Sequence, residues 1–456
     1  MSGKRVSNSG AFAWALFDGA RAPYNVLVNI FIFSAYFTTV VVPDSVHGQV
    51  LWSYTSSVGA LLVAVGAPIL GAIADAGGRR KPWLAATLVV GIPSMCALWF
   101  AVPAMSTGLG WILVALVGGM LFFEYSAIFC NAMLPNVAPA RIGFWSGMGY
   151  SLGNCSGIVL FVFFLLAWSW NPHPLFGMQP ALHEPERAVG LLAALWMVVF
   201  GAPLFFLTPD SPGTHVGAVQ AIREGMGRLR ATLRRLGDFR SVGFFLLARL
   251  TYNEGFVVLM LFSGVYAATV MHWKAETIVV LGLCNSVAAA VAGAFCGWLD
   301  DRIGSRRSAV LFVAGSLLAT IVVCSTTPES AFFVRLSRPI AVLGGPFATL
   351  PDRVFAVGQM AVAFFVTGGL ASSRSLMAKL TPPAMLNEFF GVYSMSGTAT
   401  SFVGPLAIGL VTSLSHNQRA GFAGGVIFLV VGLALLVRVK EPVRSPAATD
   451  HLADRQ

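Results

Sequence analysis

The sequence predicts an all-α integral membrane protein, with twelve transmembrane helices in two pseudo-symmetric bundles of six. Three observations lead to this fold class. Charged residues make up only 11% of the chain and hydrophobic residues 56%, whereas soluble domains carry about 25% charged residues. The apolar residues form twelve runs of roughly the 20-residue length that crosses a bilayer. A short loop rich in glycine and arginine also occurs twice, at a spacing near half of the chain.

The apolar runs define the order of the elements. In the first half, spans are predicted near residues 11–42, 50–74, 83–104, 108–134, 143–168 and 188–207. In the second half, they are predicted near residues 240–271, 277–299, 307–327, 354–379, 389–414 and 419–438. The even number places both termini on one side of the membrane. The predicted domains are an N-terminal bundle, a linker, a C-terminal bundle and a tail, at residues 1–207, 208–239, 240–438 and 439–456.

The repeated loop joins spans 2 and 3 and again spans 8 and 9. It reads GAIADAGGRRKPWL from Gly71 and GWLDDRIGSRRS from Gly297, and matching residues are 226 positions apart (297 − 71). Glycines permit close helix ends and turns with positive φ, and an aspartate beside arginines forms charge-assisted hydrogen bonds that break when helices separate. A loop that only sets topology would need the arginines but not the repeated glycines and acid. The predicted gating loops contain Gly71, Asp75, Gly78, Arg79, Arg80, Gly297, Asp301, Gly304 and Arg306.

The distribution of basic residues predicts the orientation. Of the 29 Lys and Arg residues, 20 fall on the face that holds the termini and the repeated loops, and six fall on the opposite face. Basic residues collect in cytoplasmic loops, so we expect a multi-pass protein of the cytoplasmic (inner) membrane with both termini in the cytoplasm. The same rule explains the net charge of +10 without a nucleic-acid partner.

Several connecting segments carry their own signals. In the linker 208–239, apolar residues recur every three or four positions among arginines, which is typical of an amphipathic helix on an anionic membrane surface. A basic tether would have the same composition, so the sequence fits either an amphipathic surface helix or a tether. Proline spacing predicts loops at 169–187 and 328–353, and the sequence leaves undecided whether 339–348 is re-entrant. The six cysteines lie in apolar runs, without disulfide or metal spacing, and no metal or cofactor is expected.

Formal charges inside predicted spans are the strongest functional signal. Each unpaired charge costs roughly 2.5–3.5 kcal/mol at the centre of a membrane helix. Three acids and three bases lie at that depth: Asp18, Arg21, Glu124, Arg249, Glu254 and Arg374. Their balance predicts pairing in one polar cavity. Static ion pairs are the alternative, with Asp18 and Arg21 as the leading local pair, and Glu254 and Arg374 lie near enough to span ends to reach water instead.

Helical spacing groups these charges with amides. Span 1 places Asp18, Arg21, Asn25 and Asn29 on one face, at spacings of 3, 4 and 4. Glu124 and Asn131 are seven apart on span 4, and Arg249 and Asn253 share a face of span 7 from which Glu254 points away. The candidate substrate-binding and ion-coupling residues are therefore Asp18, Arg21, Asn25, Glu124, Asn131, Arg249, Asn253, Glu254 and Arg374.

Spans 5 and 11 are rich in small residues. Gly149, Gly153 and Gly157 recur at every fourth position, which allows two helices to pack backbone to backbone. Span 11 contains the pair Gly404 and Pro405, which predicts a kink. Both spans fit either a bending element or close static packing.

Several stretches resemble a known family. The repeated loops are similar to the signature loop of the major facilitator superfamily. Within that superfamily, FAWALFDGARAPYN, FCNAMLPNVAP, ARLTYNEGF and SSRSLMAKLTPPAMLNEFFGVYSMSGTATSFVGPL resemble the vacuole-effluxer branch of fungal vacuolar permeases and their bacterial relatives. The resemblance implies alternating access around a central site, export of amino acids in the fungal members, and functional roles for Asp18, Asn253 and Glu254. This chain has Gly19 and Arg21 where relatives usually have tryptophan and asparagine, which favours an anionic or zwitterionic solute.

These observations predict a secondary active transporter of a small polar organic solute, an amino acid or an organic anion or zwitterion. Arg21, Arg249 and Arg374 would bind an anionic group, and Asp18 or Glu124 would carry a proton, with Na⁺ as the other candidate ion. The expected partners are the lipid bilayer and the solute, with the protein acting as a monomer. The alternatives are a proton-coupled exporter of hydrophobic drugs or lipids and a non-transporting sensor. No histidine lies inside a span, so an enzyme is not expected.

Overall fold

The computed structural model of the chain is built almost entirely from long helices. It describes residues 8–77, 79–137, 142–210, 220, 223, 227, 239–336, 345–380, 392–393, 396–397 and 399–439, and for some helical residues, Asp75 and Asp301 among them, the backbone only. Within these ranges, eleven helices are long and apolar enough to cross a membrane, and a shorter apolar helix, Val403–Ser415, occupies the remaining predicted position. The described helices therefore match the predicted all-α fold class.

The N-terminal bundle contains the first six helices. They are α1 (Asn8–Val41), α2 (Ser45–Gly77), α3 (Lys81–Phe100), α4 (Leu109–Val137), α5 (Ile142–Phe163, extended by the π-helical turn Phe164–Ser169) and α6 (Glu184–Leu207). In α1, the segments Tyr24–Phe31 and Phe37–Val41 are π-helical. A π-helical segment changes the angle between successive side chains, so residues after Tyr24 do not follow the face predicted for an unbroken α-helix.

The C-terminal bundle contains the other six. They are α7 (Arg240–Leu261, continued by the short helix Ser263–Thr269), α8 (Ala275–Ile303), α9 (Ser305–Cys324), α10 (Leu350–Leu380), α11 (Val403–Ser415) and α12 (Gln418–Arg438). The span predicted at 389–414 is thus described as α11 from Val403, with helical residues at 392–393 and 396–397 before it. Turns at 399–402 separate these from α11, at the position where glycine and proline predicted a kink.

Glycines of α5 allow its close approach to α1. A Cβ on Gly153 would lie 3.2 Å from the side chain of Ala22, and one on Gly157 would lie 3.7 Å from Val26. From the other side, a Cβ on Gly19 would lie only 2.8 Å from Leu152. The small-residue pattern therefore corresponds to close packing of α1 against α5, and Gly19 belongs to this contact.

The two bundles meet at the end of the molecule opposite the described chain ends. Gln49, near the start of α2, donates to the Thr412 hydroxyl at 2.8 Å and to the Gln418 carbonyl at 3.3 Å. Deeper in, the Ser57 hydroxyl donates to the Phe402 carbonyl at 2.5 Å. The helix Ser263–Thr269 packs on the second half of α1, and α8 packs on α5. These three hydrogen bonds lie between this end and mid-depth.

The loops differ in part from their prediction. The segment 328–353 was expected to be a loop, but it begins with a hairpin of two short strands, β1 (Ser330–Ala331) and β2 (Val334–Arg335). A short hairpin that depends on backbone pairing across a two-residue turn leaves no hydropathy pattern in the sequence. The sequence analysis therefore predicted only a loop from the prolines. Most of 339–348 and nearly all of the linker 208–239 lie outside the described residues, so the re-entrant and amphipathic-helix interpretations stay predictions. All six cysteines are free.

Candidate functional site

Three charged residues of the N-terminal bundle form what we call the N-terminal cluster: Asp18, Arg21 and Glu124. Arg21 Nε donates to Asp18 Oδ1 at 2.8 Å, and each of these two side chains is 15% exposed. Arg21 Nη1 also donates to the Phe123 carbonyl at 3.1 Å, and the guanidinium lies 4.8 Å from the centre of the Phe123 ring. The next residue of α4, Glu124, interacts electrostatically with Arg21. The helices α1 and α4 therefore bring one cation and two acids together.

The position of Asp18 depends on α5 and on its distance from the start of α1. A Cβ on Gly149 would lie 2.9 Å from Asp18 Oδ2, so only glycine leaves this carboxylate its place beside α5. Asp18 lies ten residues after the start of α1, or about 15 Å along the helix. Because α1 is long and apolar enough to cross a hydrocarbon core about 30 Å thick, we expect the N-terminal cluster to lie within the membrane-spanning part of α1. Its charges are nonetheless partly accessible rather than sealed in the packed interior.

The amides predicted to join the stripe lie in different surroundings. Asn29 is buried and donates to the Asn25 side chain at 3.3 Å, and Asn25 is only partly buried. Both fall in the π-helical segment of α1. Asn131, seven residues after Glu124, is exposed. Asn25 thus follows the N-terminal cluster on α1, and Asn131 is an exposed residue on the same face of α4 as Glu124.

Three residues of α7 form a second group, the C-terminal cluster: Arg249, Asn253 and Glu254. Arg249 Nη1 donates to the Tyr393 carbonyl at 2.8 Å and to the Ser396 hydroxyl at 2.6 Å, and the guanidinium lies 3.8 Å from the centre of the Tyr393 ring. Asn253 donates to the Gly397 carbonyl at 3.2 Å. Both side chains are buried, and both bind the carbonyls where the helical residues before α11 end.

Glu254 binds the other side of the same break. The Gly404 backbone N–H donates to Glu254 Oε2 at 2.9 Å, and the Thr400 hydroxyl donates to Oε1 at 2.7 Å. Gly404 is the second residue of α11, where free N–H groups and the helix dipole favour an anion. Glu254 is only 2% exposed, so the interpretation that it reaches water at a span end is wrong. A cation and an amide thus satisfy carbonyls on one side of the break, and a carboxylate satisfies an N–H on the other.

The predicted pairing of six charges in one cavity is therefore incorrect in detail. Among the described residues, only Asp18 and Arg21 form a salt bridge with each other inside a span. Arg249 and Glu254 bind groups on either side of the break instead of opposite charges, and Arg249 Nε has no hydrogen-bond partner among the described residues. Arg374 is exposed on α10 and has no hydrogen bond or ion pair to any residue that the structure describes. Its predicted role in binding an anionic group stays a prediction.

The repeated loops are described in part. Asp75, Gly78 and the side chain of Asp301 lie outside the described residues, as do the surroundings of Gly71 and Gly297, so the predicted aspartate–arginine contacts stay predictions. Arg79 is exposed. Gly304 has φ +84°, as expected for a turn that needs glycine.

Two aspartates that the sequence analysis did not single out stabilise these loops. Asp210 accepts hydrogen bonds from the backbone N–H groups of Arg80 at 2.9 Å and Lys81 at 3.2 Å, and so caps the start of α3. Buried Asp300, next to the predicted Asp301, accepts from Ser305 at 3.2 Å and from Ser372 at 2.9 Å. The paired aspartates at 300–301 were the available signal for Asp300, whereas Asp210 is remote in sequence from the loop that it caps.

A base of each loop also binds the last turn of the sixth helix of its own bundle. Lys81 Nζ donates to the Phe205 carbonyl of α6 at 2.8 Å, and the Arg306 guanidinium donates to the Val437 carbonyl of α12. The C-terminal carbonyls of a helix favour cations. The internal repeat is thus seen in the contacts as well as in the sequence, because each repeated loop donates a hydrogen bond to a helix of its own bundle.

Known proteins resemble this chain over most of its length. A family model described as vacuole effluxer Atg22 like matches residues 143–445. The uncharacterized MFS-type transporter YxiO of Bacillus subtilis is 25% identical over 450 residues, which cover 94% of each chain. Autophagy-related protein 22 of Cryptococcus neoformans is 26% identical over 304 residues, covering 64% of this chain and 52% of that protein. The chain therefore matches about half the length of this fungal relative.

Solved structures share the fold at low sequence identity. A D-xylose–proton symporter superposes with a TM-score of 0.67 at 13% identity, covering 95% of this chain and 98% of the other. A bacterial homologue of the human lysosomal transporter Spinster, in an inward-facing and unoccupied conformation, superposes with a TM-score of 0.64 at 13% identity, covering 95% and 97%. At such identities the likeness establishes the fold alone.

Proposed function

Because this chain belongs to the vacuole effluxer Atg22-like family of MFS-type membrane transporters, we propose that it is a secondary active transporter of a small polar organic solute. The solute carries an anionic group, as an amino acid or another organic anion or zwitterion does. It crosses by alternating access, with the two bundles separating first at one end and then at the other.

The observation that carries this proposal is the N-terminal cluster. Arg21 lies in a candidate membrane span and is partly exposed, so a solute reaching α1 and α4 meets a guanidinium that already holds one carboxylate. Guanidinium groups bind carboxylates through paired hydrogen bonds. An incoming carboxylate therefore competes with Asp18 for the same donors, and Arg21 is the binding cation of the proposed site.

Ion coupling follows from that competition. A carboxylate that loses its cation in a poorly solvated site binds a proton more readily. When solute displaces Asp18 from Arg21, Asp18 takes up a proton, and the second acid, Glu124, supplies an alternative acceptor within the field of the same guanidinium. Solute and proton thus occupy one cluster in a linked order. A sodium ion bound by the two carboxylates is the alternative coupling ion, and the experiment below separates the two.

The contacts between the bundles support alternating access. Hydrogen bonds from Gln49 and Ser57 join the bundles from the end opposite the termini to mid-depth. On the other side of mid-depth, the repeated loops bind within their own bundles. This arrangement suits access to the N-terminal cluster from the side of the termini, which positive-inside orientation assigns to the cytoplasm.

The proposal is tested by solute counterflow and proton flux in liposomes. We expect Asp18→Asn to abolish proton movement that accompanies the solute, and Glu124→Gln to reduce it, while solute exchange without a proton gradient persists in at least one variant. Asp44→Asn, on an exposed acid of the loop before α2, is the matched control and should behave as the unmodified protein. Full proton coupling in both Asp18→Asn and Glu124→Gln would refute the assigned roles, and loss of transport on replacing Na⁺ with K⁺ would identify sodium as the coupling ion.

A further inference from the structure

The hairpin between α9 and α10 has an unusual tip. Its two turn residues, Phe332 and Phe333, have φ +52° and +64°, the left-handed values required at both central positions of a two-residue type I′ turn. Asparagine and glycine normally occupy such positions, because larger side chains are strained there. The Phe332 side chain is 59% exposed and that of Phe333 is 66% exposed. Two aromatic rings are therefore held at an unfavourable backbone geometry without being buried by the fold.

The tip has a fixed position over the end of α9. The Phe333 backbone N–H donates to the Ser325 carbonyl at 3.0 Å, just after the last residue of α9. Arg419, at the start of α12, donates from Nε to the Cys324 carbonyl, and its guanidinium lies 5.5 Å from the centre of the Phe333 ring. The two Nη groups of Arg419 donate no hydrogen bond to the residues that the structure describes. The hairpin thus places an aromatic ring beside a cation that has free donors.

A cavity of about 440 Å³ lies at this cation. Its lining is mainly apolar and includes Ile321, Cys324, Phe333, Arg419, Ala423 and Val426. Below it, exposed apolar side chains continue along the membrane-facing surfaces of α9 and α12: Leu318, Ile427, Val430 and Val431. The cavity is therefore the upper end of an apolar surface, with a guanidinium where that surface meets the loops.

We propose that this cavity binds an anionic phospholipid of the leaflet opposite the chain termini. Its phosphate would accept hydrogen bonds from the Nη groups of Arg419, one acyl chain would lie on the apolar walls of α9 and α12, and the aromatic tip would sit at headgroup level, where aromatic rings are favoured. A free solute would not use the apolar surface that continues below the cavity. The inference does not depend on the proposed transport function.

The site adjoins the contact between the bundles. Gln418, the neighbour of Arg419, accepts the hydrogen bond from Gln49 of the other bundle through its carbonyl. A phosphate on Arg419 would hold the start of α12 where this hydrogen bond forms. The bound lipid would therefore favour the state in which the bundles are joined at this end.

The test is native mass spectrometry of the full-length, delipidated protein, titrated with phosphatidylglycerol or phosphatidylcholine of identical acyl chains. We expect one phosphatidylglycerol to bind in preference to phosphatidylcholine, and Arg419→Gln to weaken that binding roughly tenfold, the loss typical of a charge-assisted hydrogen bond. Arg335→Gln, on an exposed arginine of β2 outside the cavity, is the matched control and should leave binding unchanged. Equal binding by the two variants would overturn the proposal.

Two further variants keep the result decisive if Arg419→Gln folds poorly. Ala423→Phe fills the cavity and retains the guanidinium, so it should also lose the bound phosphatidylglycerol; retention would show that no acyl chain lies there. The double variant Phe332→Asn with Phe333→Gly should raise the midpoint of thermal unfolding and lower lipid binding, whereas unchanged lipid binding would remove the tip from the site. If inorganic phosphate displaces the lipid completely at the concentration that saturates the protein, phosphate alone is the ligand and the phospholipid assignment fails.

Discussion

The two bundles treat their buried charges in opposite ways. In the N-terminal cluster, Asp18 and Arg21 bind each other, are partly exposed, and have a second acid, Glu124, in the field of the same cation. In the C-terminal cluster, Arg249 and Glu254 are buried and bind the two sides of the break before α11. One bundle leaves its charges partly exposed and bound to each other, whereas the other uses its charges to bind the two sides of a break in a helix.

This difference separates binding from architecture within a pseudo-symmetric fold. Backbone groups freed by a break in a membrane helix have no water to satisfy them, so fixed side chains must do so. Such side chains cannot leave their partners without exposing the break. We therefore expect substitutions in the C-terminal cluster to affect stability first, and substitutions in the N-terminal cluster to affect transport first.

The largest effect should come from Glu254→Ala. This change leaves the Gly404 N–H and the Thr400 hydroxyl without their buried acceptor, and we expect it to lower the free energy of unfolding by about 3 kcal/mol. The measurement is thermal or denaturant unfolding of the purified protein in one detergent. Glu124→Ala is the matched control, since Glu124 accepts no hydrogen bond among the described residues, and it should change stability far less. Equal losses of unfolding free energy in the two variants would contradict the proposed difference between the two clusters.

A second test compares two arginines at membrane depth. Arg21→Gln removes the proposed binding cation, so we expect solute counterflow to fall by roughly a hundredfold, the equivalent of about 2.7 kcal/mol of charge-assisted binding. Arg374 is exposed and has no hydrogen bond or ion pair to a described residue, so Arg374→Gln should retain most of the activity. If Arg374→Gln were the more damaging change, the solute would have to bind the C-terminal bundle instead.

A smaller effect is expected where the break meets the opposite bundle. Ser57 donates to the Phe402 carbonyl from α2, and Ser57→Ala should cost about 1 kcal/mol in the joined state only. The joined fraction can be followed by the yield of a disulfide between cysteines placed at Gln49 and Thr412, with the exposed Cys155 replaced by serine. We expect a lower yield in Ser57→Ala. An unchanged yield would mean that this hydrogen bond does not discriminate between the two states.

The smallest expected effect is a pH dependence of stability at a site outside both clusters. The Glu186 carboxylate, with Oε1 3.6 Å from His183 Nδ1, raises the pKa of His183, in the loop before α6, above its ordinary value. Its contribution to stability is therefore complete below the unfolded pKa of about 6.5 and is lost as the pH rises through the folded value. Since the imidazole is 37% exposed, screening limits the effect to about a few tenths of a kcal/mol.

His183→Asn provides the control for that titration, because asparagine also tolerates the positive φ of this position. Unfolding midpoints measured between about pH 5 and pH 8 should fall slightly at high pH in the unmodified protein and lose this slope in the variant. A slope of the same size in both proteins would assign the pH dependence to another group.

Hydropathy and the internal repeat were sufficient to predict the helices and their order, because a bilayer imposes length and apolarity on every span. Local spacing also predicted the pair of Asp18 and Arg21. It could not predict the partners of Arg249 and Glu254, which are backbone and hydroxyl groups about 144 to 150 residues away and include no opposite charge to recognise. The π-helical segment of α1 likewise depends on tertiary packing, so Asn25 and Asn29 were placed on a regular helical face.

Asp210 has a consequence for how the protein could be divided. It caps α3 from just beyond the end of α6, while Lys81 binds the last turn of α6. If the chain were cut after Asp210, both of these contacts would remain within the N-terminal fragment. Co-expressed N-terminal and C-terminal fragments should then assemble through the contacts between the bundles, without a covalent linker between them.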